Sequence, residues 1–148
     1  DLMNSMIAPE ILGWQRFILG TISDKQVNCI APGTSKVWLS PIEQRDTGVK
    51  LAVIPTGRFT SIAVEARRSY GYDTNLGAAN EGVIVYKIDT RAPYGKSPFK
   101  LVPSPKQKDY QLHRDAALKK GVSVSVDGVT ITNIESGAFG DVVKIVRK

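Results

Sequence analysis

The sequence predicts a β-dominated α+β fold: a short N-terminal helix, then an antiparallel β-sandwich-like module that closes in a C-terminal β-meander. Three observations carry this. From residue 24 onward, short apolar runs recur about every ten residues between turn signals. The strongest runs, at 62–66 and 83–88, alternate or are built of β-branched and aromatic residues. Helical signals are confined to a stretch near the N-terminus and to one or two turns at 113–120.

The 148 residues suit one domain, able to bury roughly 70% of its unfolded surface. Hydrophobic content of 42% and charged content of 23% are ordinary for a globular protein. No apolar run approaches the ~18–20 residues of a membrane span. No basic N-terminal region followed by a long apolar segment occurs, so no signal peptide is read. The chain opens on Asp1 rather than Met, as expected of a processed product or part of something longer.

Residues 1–23 contain the helix. Pro9 suits a first helical position, Glu10 favours the positive end, and Gly20 stands where a C-cap belongs. Ile11, Leu12, Gln15, Ile18 and Leu19 share one face, widened by Trp14 and Phe17. Gly13 weakens this helix.

Residues 24–90 hold the strands. Candidates lie at 27–30, at Val37, Leu39 and Ile42, and at 49–54, with turns at Pro32-Gly33, 45–48 and 55–57. The stretch 60–90 is a strand–loop–strand unit. Ile62, Val64 and Ala66 alternate with Ala63, Glu65 and Arg67, the pattern of a half-buried strand. The run VIVYKI reads as a strand covered on both faces.

Residues 91–112 carry half of the prolines, interleaved with lysines, and read as an extended surface strap. Residues 113–120 (HRDAALKK) read as a short helix capped by Gly121. The meander follows, with Asp127-Gly128 as a two-residue hairpin turn.

The net charge of +6 is regional. Residues 91–120 contain eight basic and two acidic side chains, and the remainder of the chain balances. Lys96, Lys100, Lys106 and Lys108 could meet a polyanion, with Tyr94, Phe99 and Tyr110 as stacking surfaces. Sparse aromatics and the prolines make a solvated strap the commoner explanation, and nucleic acid a minority partner.

Catalytic chemistry is hard to find. Zinc hydrolysis needs three protein ligands, and the chain has one histidine, His113. Cys29, the single cysteine, permits no internal disulfide and is expected as a small core residue. No glycine-rich phosphate loop occurs. Glu65, Arg67 and Asp73 admit two readings. They form an ion pair and turn cap that shape the strand–loop–strand unit, or, with Glu81 and Asp89, an acidic cluster for a hard cation. The spacing matches no calcium loop.

The segment VEARRSYGYDTNLGAANEGVIVYKID resembles one in immune inhibitor A-type secreted metallopeptidases, through Glu65, Arg67, Gly71, Tyr72, Asp73, Leu76, Gly82 and Asp89. Asp1-Leu2-Met3 is similar to the Asp-x-Met of that family's Met-turn, and Trp14, Arg16, Leu19 and Gly20 to the helix after it. The end, 116–148, is similar to its closing strands. The departures are a missing His-Glu-x-x-His, Thr21 where Trp is frequent, and Tyr86-Lys87 where Trp-His is common.

The resemblance implies the non-catalytic C-terminal half of a secreted or cell-surface zinc metallopeptidase. Met3 would support a zinc site whose ligands come from an N-terminal segment of the same precursor. Zinc is then expected only with that segment. Two alternatives stand beside it: a degenerate relative serving as a structural, self-assembling surface protein, and a basic polyanion-binding module.

Overall fold

The computed structural model describes residues 11–111 and 113–148. Among the described residues, helix α1 (Gly13–Ile18) precedes nine strands. These are β1 (Val27–Cys29), β2 (Gly33–Leu39), β3 (Leu51–Pro55), β4 (Thr60–Arg67), β5 (Gly82–Asp89), β6 (Phe99–Leu101), β7 (Ser123–Val126), β8 (Val129–Gly137) and β9 (Gly140–Arg147). They form a five-stranded sheet in the order β1-β3-β4-β5-β6 and a four-stranded sheet in the order β2-β9-β8-β7. The β-dominated fold with one short helix is as the sequence predicts. Every pairing is antiparallel except β1 with β3.

Alternation explains the main core. Ile62, Val64 and Ala66 of β4 and Val83 and Val85 of β5 meet Val37 and Leu39 of β2, Ile131 of β8, and Val143 and Ile145 of β9 between the sheets. A second cluster lies on the other face of the five-stranded sheet. There Leu51, Val53, Ala63, Tyr86 and Ile88 pack under Leu12, Trp14 and Phe17. The layers are therefore helix, sheet and sheet. Asp127 and Gly128, both at positive φ, turn β7 into β8 in a two-residue hairpin.

Several expectations need correction. β4 is buried on both faces, not one, because α1 and the segment before it cover Ala63, Glu65 and Arg67. The helix presents Leu12, Trp14 and Phe17 to the sheet, whereas Ile18 and Leu19 are exposed. Cys29 is exposed, because β1 ends a sheet and Ile30 takes the core position.

The proline-rich strap contributes a strand of its own, β6, which pairs Leu101, Lys100 and Phe99 with Tyr86, Lys87 and Ile88. Residues 113–120 form no helix. Leu118 exchanges both backbone hydrogen bonds with Val83 (2.7 and 3.1 Å), so the backbone groups a helix would use internally extend the β5 ladder. Burial of Ala116, Ala117 and Leu118 outweighs their helical preference.

Candidate functional site

The polar centre lies where β4 and β5 meet the start of α1. β4 directs Glu65 and Arg67 to the helix side, two residues apart on one face. Arg67 Nε donates to Glu65 Oε1 at 2.8 Å, and Nη1 to Asp73 Oδ2 at 2.7 Å. Its Nη2 reaches the carbonyl oxygen of Ile11 at 3.1 Å. Glu43, on the turn after β2, brings Oε1 to 3.9 Å from Nη1. All four side chains are buried.

The other oxygen of Glu65 caps the helix. Gly13 N–H donates to Oε2 at 2.7 Å, and the Tyr86 hydroxyl donates to the same atom at 2.8 Å. That hydroxyl accepts from Trp14 N–H at 3.1 Å, and Gln15 Oε1 accepts from Leu12 N–H at 3.2 Å. The first N–H donors of a helix have no partner within it. Here two strands supply partners for two of them, Gly13 and Trp14. A glycine at position 13 follows from this, since a Cβ would lie 2.8 Å from Glu65 Oε2 and 3.2 Å from Ile42 Cδ1.

Burial sets the charge states. Burial opposes the charge on Arg67, but the carboxylates of Glu65 and Asp73 outweigh it and hold the guanidinium charged. Burial, then the Glu65 carboxylate, pushes the Tyr86 phenol well above its usual range. Burial and the hydrogen bond with Asp73 push Glu43 up to about 9 against the pull of Arg67, so Glu43 is neutral at pH 7.

A second polar cluster sits on the opposite face. Arg68 Nη1 donates to Asp141 Oδ2 at 2.8 Å and to the Arg67 carbonyl at 2.7 Å; Nε and Nη2 reach the carbonyls of Gly137 and Gly140. Asn133 Nδ2 donates to Asp141 Oδ1 at 2.9 Å. A third centre is buried Lys50, held by Asp46 Oδ1, Ser40 Oγ and the Pro41 carbonyl at 2.8–2.9 Å.

The structure brings Glu65, Arg67 and Asp73 together. It leaves the other two acids of the cation reading apart from them: Glu81 accepts from Ser69 N–H and Asp89 pairs with Arg91. Among the described residues no group of three or more His, Cys, Asp and Glu side chains is disposed to hold a metal. His113 Nδ1 lies 2.7 Å from Gln107 Nε2. This donor set does not fit a zinc site. Met3, Pro9 and Glu10 lie outside the described residues.

Lys96, Lys100, Lys106 and Lys108 are exposed. Phe99 is not a free stacking surface: it packs edge-on against Tyr86 at 6.0 Å. Lys119 is exposed, and its ammonium donates to the carbonyls of Ala78 and Glu81. A cleft of about 600 Å³ opens between α1 and the strap, lined by Leu12, Gln15, Tyr86, Lys96, Phe99 and Leu101.

Sequence reasoning missed Glu43, Gly13 and the Tyr86 hydroxyl. Glu43 follows Ile42 in a turn with no periodicity to mark it as buried. Gly13 and Tyr86 were visible as oddities, a glycine within a helix and a tyrosine within an apolar strand. Neither reveals its partner across more than fifty residues of chain. No family model matches this chain, and neither a curated protein nor a solved structure does.

Proposed function

We propose that this chain is the non-catalytic, β-rich C-terminal portion of an immune inhibitor A-like secreted or cell-surface metallopeptidase. It acts as a platform for a zinc site built by an N-terminal segment of the same precursor. One observation supports the reading above others. Glu65, Arg67 and Asp73, which carry the resemblance, are the groups that seat α1 and grip the Ile11 carbonyl. A buried clamp at that point anchors the N-terminal end of α1 to the five-stranded sheet. No step of peptide hydrolysis is assigned to the described residues, whose donor set does not fit zinc.

The test is the sequence encoded before Asp1, together with metal analysis of the protein from its native source. A His-Glu-x-x-His segment and about one zinc per chain, the stoichiometry of a catalytic site, are expected. A precursor without that motif and without zinc overturns the proposal.

A second reading, a degenerate relative that assembles on a surface, draws on β2. Among the described residues this seven-residue strand ends its sheet, with β9 on one side and no strand on the other. Such an edge is a template for another strand. Zinc-free material that forms ordered oligomers by light scattering and electron microscopy would favour it. The polyanion reading rests on the exposed Lys96, Lys100, Lys106 and Lys108. It requires binding to heparin that weakens steeply with salt and disappears when all four are replaced by Ala.

A further inference from the structure

The outer face of the four-stranded sheet carries a fixed aromatic ring beside an unbalanced pair of charges. Val37, Leu39, Ile131, Val143 and Ile145 point into the core, so their neighbours along β2, β8 and β9 point outward. One outward row runs Lys36, Lys144, Thr132 and Ser123 across the sheet. The row beside it, nearer the β8–β9 turn, runs Trp38, Val142 and Glu135.

Trp38 is held in place. Its Nε1–H donates to the carbonyl of Phe139 in the β8–β9 turn at 2.9 Å, yet the side chain stays 50% exposed. Its one polar group is thus satisfied within the protein, and what it offers a partner is a flat apolar ring. Lys36 and Lys144 stand directly opposite each other, both exposed. Like charges so placed repel. Among the described residues neither lysine is paired with a carboxylate.

We propose that this face binds an anionic polysaccharide that carries its charge on alternate sugars. A neutral sugar stacks on Trp38, and the carboxylate of the neighbouring uronic acid lies between Lys36 and Lys144. The C–H face of a pyranose is apolar and suits the indole. Trp38 and Lys36 are two residues apart on one face, roughly 7 Å along the strand, a separation that adjoining sugars bridge. The hydroxyls of Thr132 and Ser123, 2.8 Å apart, close the lysine row with groups that donate and accept, as sugar hydroxyls do.

The placement of charge favours this polymer over a nucleic acid. Single-stranded nucleic acid has a phosphate at every unit and is held by a positive groove with successive stacking rings. Here the Trp38 row ends on exposed Glu135, whose carboxylate repels a phosphate laid beside the ring. The same carboxylate accepts hydrogen bonds from the hydroxyls of a neutral sugar. A chain charged at alternate units therefore meets each row with a matching group. The face is distinct from the proline-rich strap, whose strand β6 belongs to the other sheet.

The experiment is an NMR titration of the whole chain, at low salt, with a hyaluronan hexasaccharide, which bears a carboxylate on every second sugar. Binding should shift the Trp38 indole N–H and the amides of residues 36, 38 and 144. W38A should weaken it about tenfold, and W38Y should recover most of that loss. K36Q/K144Q should weaken it about fivefold, a difference that high salt removes. Neutral cellohexaose bound as tightly overturns the proposal, because the lysines then contribute nothing. A tighter dT hexamer overturns it in favour of nucleic acid. Shifts confined to residues 91–111 overturn it and assign binding to the strap. No shift at millimolar sugar also overturns it. Should W38A not fold, the wild-type shift map and the K36Q/K144Q loss decide.

Discussion

Arg67 and Arg68 are neighbours at the end of β4 that face opposite layers of the molecule and are held by different chemistry. Arg67 points to the helix and is ringed by carboxyl groups: Glu65, Asp73 and, farther off, Glu43. Arg68 points to the four-stranded sheet, where one carboxylate, Asp141, meets it among the carbonyls of Arg67, Gly137 and Gly140. The first cluster has more acids than cations. The second is balanced, with backbone carbonyls and the Ser136 hydroxyl among its remaining partners. Two residues with the same side chain thus give one joint crowded with acids and one in which a single carboxylate meets a single guanidinium.

The largest way to break the comparison is R67M. It strands buried Glu65 and Asp73 and should cost about 3–5 kcal/mol, measured by urea unfolding at pH 7. R68M should cost less, about 2 kcal/mol, because Asp141 keeps Asn133. Equal losses would erase the distinction.

A pH series sharpens it. Glu43 has a folded pKa of about 9 against an ordinary 4.5, so between these values the folded state holds a proton that the unfolded state has released. Its contribution is complete below pH 4.5 and falls as pH rises towards 9, by at most ~1.4 kcal/mol per unit. E43Q should flatten this slope, while R68M should leave it unchanged.

G13A tests the seat of α1. Its new methyl meets Glu65 Oε2 and two core side chains, at an expected cost of about 1–3 kcal/mol. Y86F removes one hydroxyl that serves both Glu65 and Trp14 and should cost about 1–2 kcal/mol. The smallest effect belongs to the half-exposed Lys87–Asp127 pair at 2.6 Å. K87A should lose ~0.2–1 kcal/mol, and nothing in 1 M salt.

Most strands were legible because alternation is local. β4, β5 and the β7–β8–β9 meander need only the period of two and the Asp127-Gly128 turn. What local pattern cannot carry is which segment covers which face. HRDAALKK has helical residues and a glycine after them, yet Val83 claims the backbone of Leu118. Cys29 was expected inside, but the parallel pairing of β1 with β3 leaves that residue at an edge. The same limit applies to the site. Glu65, Arg67 and Asp73 stand close in sequence and could be grouped. Glu43 and Gly13 join them only through the fold.

The capped helix also has a consequence for the order of folding. Six residues are far too few for a helix to persist alone in water. The groups that cap Gly13 and Trp14 come from residues 52 and 72 positions later. During synthesis the helix segment therefore leaves the ribosome well before its caps exist. It should acquire structure only after β4 and β5 have paired, giving φ-values near zero for G13A. The first helix of the described residues is among the last elements to form.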